Sequence, residues 1–415
     1  MVSMNIPFNA VRKAQVIKEN FNVIYCANDF YIYESGCYRK WHEQRIFKLV
    51  KGMIEQDFSS HKAEEIIKCL KADSYVDTGG LNNTLYLNVL NGLFDINSFE
   101  LLPHAPEVLS IIQLQVSYNL SATCPKWLKT LEEIFEGDQE KITLLQEFIG
   151  LCLTTETKFE KALFLLGDGA NGKSVILFIL QCLLGEDNYS AIPLEKFGDY
   201  HYLANLFGKL ANITIETNVK SSVYDSTFKA IVSGDTITAD AKFKHPFVFR
   251  PHCKLIFALN NLPQVNDKTS AFFRRLLILR FNKVFTESEQ NKNLKFELIK
   301  EIDGIFLWSL QGFKRLRERR HFEMPLEMKN EIEEYKKDNN NILLFVEDQC
   351  EFDVNFEISK DDLYQFYSDW CRKNSYLPSA KKKFGKELKK ACPEIGEGRE
   401  AFKRLWRGVR KIPLL

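Results

Sequence analysis

The sequence predicts an α/β protein: a core of alternating strands and helices, preceded by a mixed and then helical region and followed by a basic unit. Three observations carry that prediction. From about 162 to 285, short apolar runs suited to strands alternate with helical patterns. Within that stretch, "ALFLLGDGANGKSVILFILQCLLG" (162–185) sets a Gly-rich turn between an apolar strand and an apolar helix. Charge is divided along the chain: residues 360–415 hold 15 Lys and Arg against 7 Asp and Glu, and the rest holds 41 against 48. A basic end on an acidic body points to a polyanion partner there, although the net charge is only +1.

At 415 residues the chain has room for two or three domains. Its 10 Cys show no CxxC spacing, which argues against a zinc ribbon and against a secreted disulfide scaffold, and for idle thiols in a reducing cytoplasm. No apolar run approaches the roughly 20 residues that span a bilayer, and the first residues lack a signal-peptide core. No membrane partner is expected.

The elements follow in order. Residues 1 to about 75 mix aromatic, strand-like pieces with a helical pattern, "EQRIFKLVKGMIEQDF". "LYLNVLNGLFDINSFELLPH" reads as strand, turn at Asn91-Gly92, strand. "CPKWLKTLEEIFEGDQEKITLLQEFIGLCLT" has apolar residues three and four apart and reads as helical. Residues 286–340 read as helical and charged, and "YKKDNNNI" as a polar linker. After it come helix, turn, helix and strands. Leu363, Phe366, Tyr367 and Trp370 share one helix face, and Phe384, Leu388 and Ala391 share another.

Gly167, Asp168, Gly169, Ala170, Asn171, Gly172, Lys173 and Ser174 fit G-x-x-x-x-G-K-[ST]. Glycines let backbone N–H groups close on phosphates, Lys173 lies against the β/γ phosphates and the Ser174 hydroxyl ligates Mg²⁺. The following helix, about 175–185, adds its positive end. The ligand expected is ATP with Mg²⁺. Hydrolysis also needs an acid and a γ-phosphate sensor. Glu216 ends the apolar run "LANITIETN" and is the candidate acid and metal ligand; Asn260 ends "KLIFALNNLP" and is the candidate sensor. Arg274 and Arg275, in "AFFRRLLILRF", are candidates for an arginine finger, with nothing in the sequence to choose between them.

These motifs resemble superfamily 3 helicases, most closely the phage/plasmid primase-helicase branch related to the poxvirus primase-helicase. "FLLGDGANGKS", "IETN", "SGDTITADAKFKHPFVFRPHCKLIFALNNLP" and "AFFRRLLILRFNKVF" carry the resemblance, with "LNVLNGLFDI", "LLPHAP" and "CPKW" before them. The resemblance implies an AAA+-like ring helicase, hexameric, moving on DNA with ATP. Its expected divisions are an α+β region at 1–75, a pre-helicase region at 76–150, an ATPase at 151–338 and a winged-helix-like domain at 339–415. By position, Glu216 is the Walker-B acid, and one of the arginines acts in trans. Many relatives have a second acid beside it; here Thr217 follows, so Glu216 serves alone or Asp235 assists.

"TADAKFKHPFVFR" alternates as a hairpin does and places Lys242, Lys244 and His245 near its tip. The Lys-His pair resembles the channel hairpin of polyomavirus and papillomavirus ring helicases, which implies contact with single-stranded DNA. Lys382, Lys383 and Lys386 on the basic C-terminal helix fit contact with duplex DNA. Upstream of 150 there is no carboxylate cluster with a companion His motif, so no priming activity is expected. A separate primase or polymerase becomes the expected partner, in a bacterial host cytoplasm or with a virus. The alternatives are a DNA-binding initiator that uses ATP as an assembly switch, and a P-loop kinase.

Overall fold

The computed structural model describes residues 8–55, 58–82, 85–215, 225–242, 244–265, 270–374, 376–400 and 403–412. Contacts divide the chain into two units, one of residues 1–264 with 274–328, the other of 265–273 with 329–415. The fold is mixed α/β with a parallel sheet and helices, as the alternation of apolar runs implied.

The first unit opens with helix α1 (Ala10–Phe21), a meander of strands β1 (Val23–Cys26), β2 (Asp29–Glu34) and β3 (Cys37–Trp41), and helices α2 (Glu43–Ile54) and α3 (Ser60–Asp73). Asn9 and Ser59 cap α1 and α3 by accepting from backbone N–H groups three residues on. These two helices escape the sequence reading. Their buried faces (Ala14 and Ile17; Ile66 and Leu70) bury few residues, set among many polar ones. A second small sheet follows: β4 (Tyr86–Val89), β5 (Gly92–Asp95) and β6 (Leu101–Leu102). Val89 pairs with Gly92, so the turn is Leu90-Asn91, one residue earlier than expected.

The helical run before the Gly-rich turn is two helices, α4 (Pro125–Ile134) and α5 (Gln139–Cys152). Glu136 and Gly137 adopt positive φ of 53° and 82°, which a continuous helix excludes, and the Asp138 side chain then caps Glu140 and Lys141. Strand β7 (Ala162–Leu166) and helix α6 (Lys173–Leu184) flank the turn. Then come β8 (Tyr189–Ser190), α7 (Tyr200–Leu203), β9 (Ala211–Ile215), α8 (Asp225–Ser233), the hairpin β10 (Ile237–Ala239) and β11 (Phe247–Phe249), and β12 (Lys254–Leu259). Helix α9 (Ser270–Phe273) belongs to the second unit, and β13 (Leu276–Arg280) returns to the first.

The central sheet runs β13-β7-β12-β9-β8, every neighbouring pair parallel. All of β7 and β12 is buried, which is why they read as unbroken apolar runs. In such a sheet, ligands bind outside the carboxyl ends of the strands. Here that edge carries the Gly-rich turn.

Helices α10 (Leu294–Ile299), α11 (Ile302–Arg319) and α12 (Leu326–Asp338) follow, while 286–293 is not helical. Gly150 on α5 and Gly312 on α11 let these helices approach closely: an added Cβ would stand 2.2 Å from Ser309 O and 2.6 Å from Gln146 O respectively. The expected linker is instead a capped junction. Helix α12 runs to Asp338, and the Asn340 side chain caps α13 (Asn341–Gln349). The second unit continues with β14 (Cys350–Ser359), α14 (Lys360–Lys373), α15 (Lys381–Ala391), β15 (Gly396–Glu400) and β16 (Lys403–Lys411), in sheet order β14-β16-β15. Leu363, Tyr367, Trp370, Phe384 and Leu388 meet in its core as their spacing required; Phe366 is only partly buried. No helix among the described residues is long and apolar enough to cross a membrane.

Candidate functional site

The Gly-rich turn owes its shape to three special positions. A Cβ at Gly167 would stand 2.4 Å from the Asn171 amide nitrogen and 2.8 Å from Phe281 O. Gly169 and Gly172 have φ of +102° and +91°, where an L side chain is strained. A Cβ at Gly172 would also meet Ile134 of α4 at 2.5 Å. Backbone can therefore approach a ligand here without side chains intervening. Gly172 caps α6, which begins at Lys173, two residues before the expected start, so its free N–H groups face the turn.

Lys173 is nearly buried and its Nζ donates to Gly167 O. Burial pushes its pKa down, and the neighbouring Asp168 carboxylate pushes it back up. Asn171 is only 2% exposed, and its Nδ2 has no hydrogen-bond partner. A buried ammonium bonded to a backbone carbonyl beside an unpartnered amide donor suits the binding of an anion. This donor set fits a polyphosphate.

A cavity of about 590 Å³ opens at the turn. Gly169 to Ser174 line one side, with Asn260 from the end of β12. The structure thus brings together the turn and the Asn expected as sensor, which come from strands that pair directly. Glu216 and Thr217 lie outside the described residues. Asp235 is exposed beyond the end of α8 and is not among the lining residues.

The far side of the cavity was missed in the sequence. Lys126, Lys129, Thr130 and Glu133 of α4 line it, as do Phe285, Gln290 and Lys292. The amphipathic pattern of 125–134 left those α4 residues as an ordinary solvated face. The 282–294 segment folds back on the turn, where Phe285 N–H donates to Ala170 O at 2.8 Å.

Arg274 and Arg275 precede β13, which pairs in parallel with β7. They stand at the amino end of the sheet, across the length of β7 from the turn, about 16 Å at ~3.3 Å per residue. The pair is divided in environment. The Arg275 side chain is 9% exposed, 2.9 Å from Glu160 Oε2, and donates to Ser233 Oγ at 2.8 Å. The Arg274 side chain is 64% exposed and 3.8 Å from Glu160 Oε2.

The hairpin forms, with Ile237 opposite Phe249 and Ala239 opposite Phe247. Lys242, Lys244 and His245 are exposed in the connection between its strands. Lys244 is not free: its Nζ is bonded to Asp29 of β2. In the second unit, Lys382 and Lys386 are exposed on α15, but Lys383 pairs with Glu387 at 3.7 Å. Lys390, one turn on from Lys386, completes their stripe instead.

Three family models match separate segments: "D5 N terminal like" at 14–136, a family of unknown function (DUF5906) at 165–275, and "Poxvirus D5 protein-like" at 337–411. The chain is 24% identical over 264 residues to "Putative helicase L207/L206" of Acanthamoeba polyphaga mimivirus, covering 61% of this chain. It is 23% identical over 406 residues to "Putative helicase 184R" of Invertebrate iridescent virus 6, covering 84% of this chain. It spans 27% and 39% of the lengths of these relatives. Among solved structures, the apo NrS-1 C-terminal region (305-718) superposes with a TM-score of 0.58 at 14% identity, covering 97% of this chain and 99% of that one. A second apo form of that region gives 0.57 at 12%. That likeness shows a shared fold. D5-type models match at both ends and viral relatives named "Putative helicase" align with much of the chain, so it resembles D5-like primase-helicases.

Proposed function

We propose that the chain is the ATP-driven motor of a DNA helicase acting in the replication of a virus, phage, plasmid or similar mobile element. The observation that carries this reading is the cavity in which Lys173, Ser174 and Asn260 meet at the carboxyl edge of the parallel sheet. Residues 151–338 would be the AAA+-like P-loop ATPase, with 1–75 and 76–150 preceding it and a winged-helix-like DNA-binding domain at 339–415.

In this reading the backbone of 167–172 wraps the ATP phosphates, and Lys173 leaves Gly167 O for the β/γ oxygens. Ser174 and Glu216 would hold Mg²⁺, which neutralises phosphate charge when bound. Asn260 hydrogen-bonds the γ-phosphate or the attacking water. Arg274 is too far from its own chain's cavity and is exposed, so it would serve a neighbouring copy's cavity. That supports a homo-oligomeric ring, hexameric by resemblance. Arg275, held by Glu160 and Ser233, would shape the strand entrance rather than reach across. Lys242, Lys244 and His245 would contact single-stranded DNA through its phosphates, which suits movement along any sequence. A separate primase or polymerase would supply synthesis.

The test is ATP hydrolysis by the purified chain, with and without single-stranded DNA, beside unwinding of a forked duplex. DNA-stimulated turnover with strand separation is expected. Turnover without separation would favour an initiator that uses ATP as an assembly switch, and no turnover with either would overturn the motor.

A further inference from the structure

Asp29, at the start of β2, holds two ammonium groups. Lys40 Nζ lies 2.7 Å from its Oδ2, and Lys244 Nζ is bonded to its Oδ1. The loop that presents Asp29 is two residues long, Ala27-Asn28, closed by the Cys26–Asp29 pair. Both loop residues have positive φ, 49° and 65°, the backbone of a tight hairpin turn. Asn tolerates that conformation; Ala is strained in it, and strain retained in a turn invites a functional reading. The same turn holds the hairpin by its backbone: Asn28 Nδ2 donates to His245 O at 2.9 Å. Nearby, Thr78 Oγ1 donates to Val248 O at 3.2 Å.

These contacts differ in kind. The bonds to His245 O and Val248 O fix where the hairpin backbone lies and involve no group that DNA would want. The bond to Lys244 occupies the ammonium that a nucleic-acid phosphate would take. Lys244 remains one-third exposed, so a phosphate can reach it. Asp29 is only 16% exposed, and a half-buried carboxylate left without a cation would oppose release. Lys40 removes that obstacle, because it stays on Asp29 when Lys244 leaves.

We propose that Asp29 is a positioning residue acting as an exchangeable latch: it parks Lys244 until a nucleic-acid phosphate takes the lysine, while Lys40 keeps Asp29 neutralised. This gives the N-terminal sheet a role in the motor and rests on the reading of the hairpin as a DNA contact.

Two measurements test it. The first is modification of Lys244 by an amine-reactive acetylating reagent without DNA, followed by mass spectrometry. Asp29→Asn should raise the Lys244 rate several-fold; Lys40→Met, a surface change of opposite sign, should lower it. The second is affinity for a fluorescent oligo-dT at low salt. Asp29→Asn should tighten binding by about 2–5-fold, the usual worth of an exposed ion pair, and should have no effect in a Lys244→Ala background. Unchanged labelling in both variants overturns the latch. So does tightening that persists without Lys244, or a Lys244→Ala that weakens binding while Asp29→Asn leaves it unchanged. A Lys244→Ala that leaves affinity untouched brings down the hairpin's DNA contact itself, and the exchange with it.

Discussion

Arg275 Nη2 lies 2.9 Å from Glu160 Oε2, while Arg274, its neighbour in the chain, only brushes that carboxylate at 3.8 Å. The two arginines therefore make different predictions. Arg274→Ala should change stability by less than about 1 kcal/mol, since an exposed ion pair contributes little. It should nonetheless cut ATP hydrolysis by about 10³-fold or more, as the loss of a finger does. Arg275→Ala strips a nearly buried guanidinium from the half-exposed Glu160 and from Ser233, and should cost about 1–3 kcal/mol. Thermal melts and turnover of both variants separate the roles. A stable, fully active Arg274→Ala would remove the finger, and adding Lys173→Ala subunits to Arg274→Ala subunits should restore some turnover if the finger works in trans.

Lys173→Ala should abolish hydrolysis and weaken ATP binding. It should also cost about 1–3 kcal/mol of stability, because Gly167 is buried and its carbonyl loses the ammonium it accepts from. ATP titration and a urea melt on the same variant check both parts. Retained turnover would refute the assignment of the phosphate cradle.

How much of this was legible beforehand follows from range. The turn and its flanking strand and helix are local, so spacing alone set the Gly-rich turn between β7 and α6. Asn260 was legible because a fully buried parallel strand is a bare apolar run whose end is easy to see. The α4 wall of the cavity was not legible, since Lys129 and Glu133 look like any exposed helix face until α4 packs over Gly172. Nor was the split between Arg274 and Arg275, which is decided by Glu160 and Ser233, residues 115 and 42 positions before Arg275 that belong to no motif. The pairing of Lys244 with Asp29, 215 residues apart, left no local trace either.

Alkaline pH should destabilise the fold. Burial holds the thiols of Cys26, Cys152, Cys253 and Cys350 up at about 12, and those of Cys37, Cys124 and Cys392 at about 11. Unfolded, a thiol ionises near pH ~8.5. The folded-state values are raised, so this stability is fully present below about pH 8.5 and is lost as pH climbs toward 11–12. Burial lowers Lys161 and Lys254 to about 8 and pushes Lys173 and Lys209 down as well, which works the other way, but among the described residues these are four against the seven thiols. Each proton is worth about 1.4 kcal/mol per pH unit, so the urea midpoint under reducing conditions should fall steeply between pH 9 and 10.5. A flat or rising midpoint would show that the thiols reach water.

The basic helix α15 makes the last prediction. Lys382, Lys386 and Lys390 are four residues apart and form one exposed stripe, opposite the buried Phe384 and Leu388. Their neighbours Lys381, Lys383 and Lys389 are spent on Asp361, Glu387 and Glu397. Among the described residues the stripe has no such partners. If it lies on duplex DNA, each lysine neutralises about one phosphate, and removing one lowers the salt slope of binding by about 0.9. Lys386→Ala, at the centre of the stripe, should therefore weaken binding to duplexes of any sequence alike and flatten the slope by about one. Lys383→Ala should do much less, because Glu387 already cancels its charge. Binding of both variants to two unrelated duplexes, measured across a salt series, decides it. Equal losses from Lys383 and Lys386 would mean that the helix acts only through its overall charge, and no loss from either would move the duplex contact elsewhere.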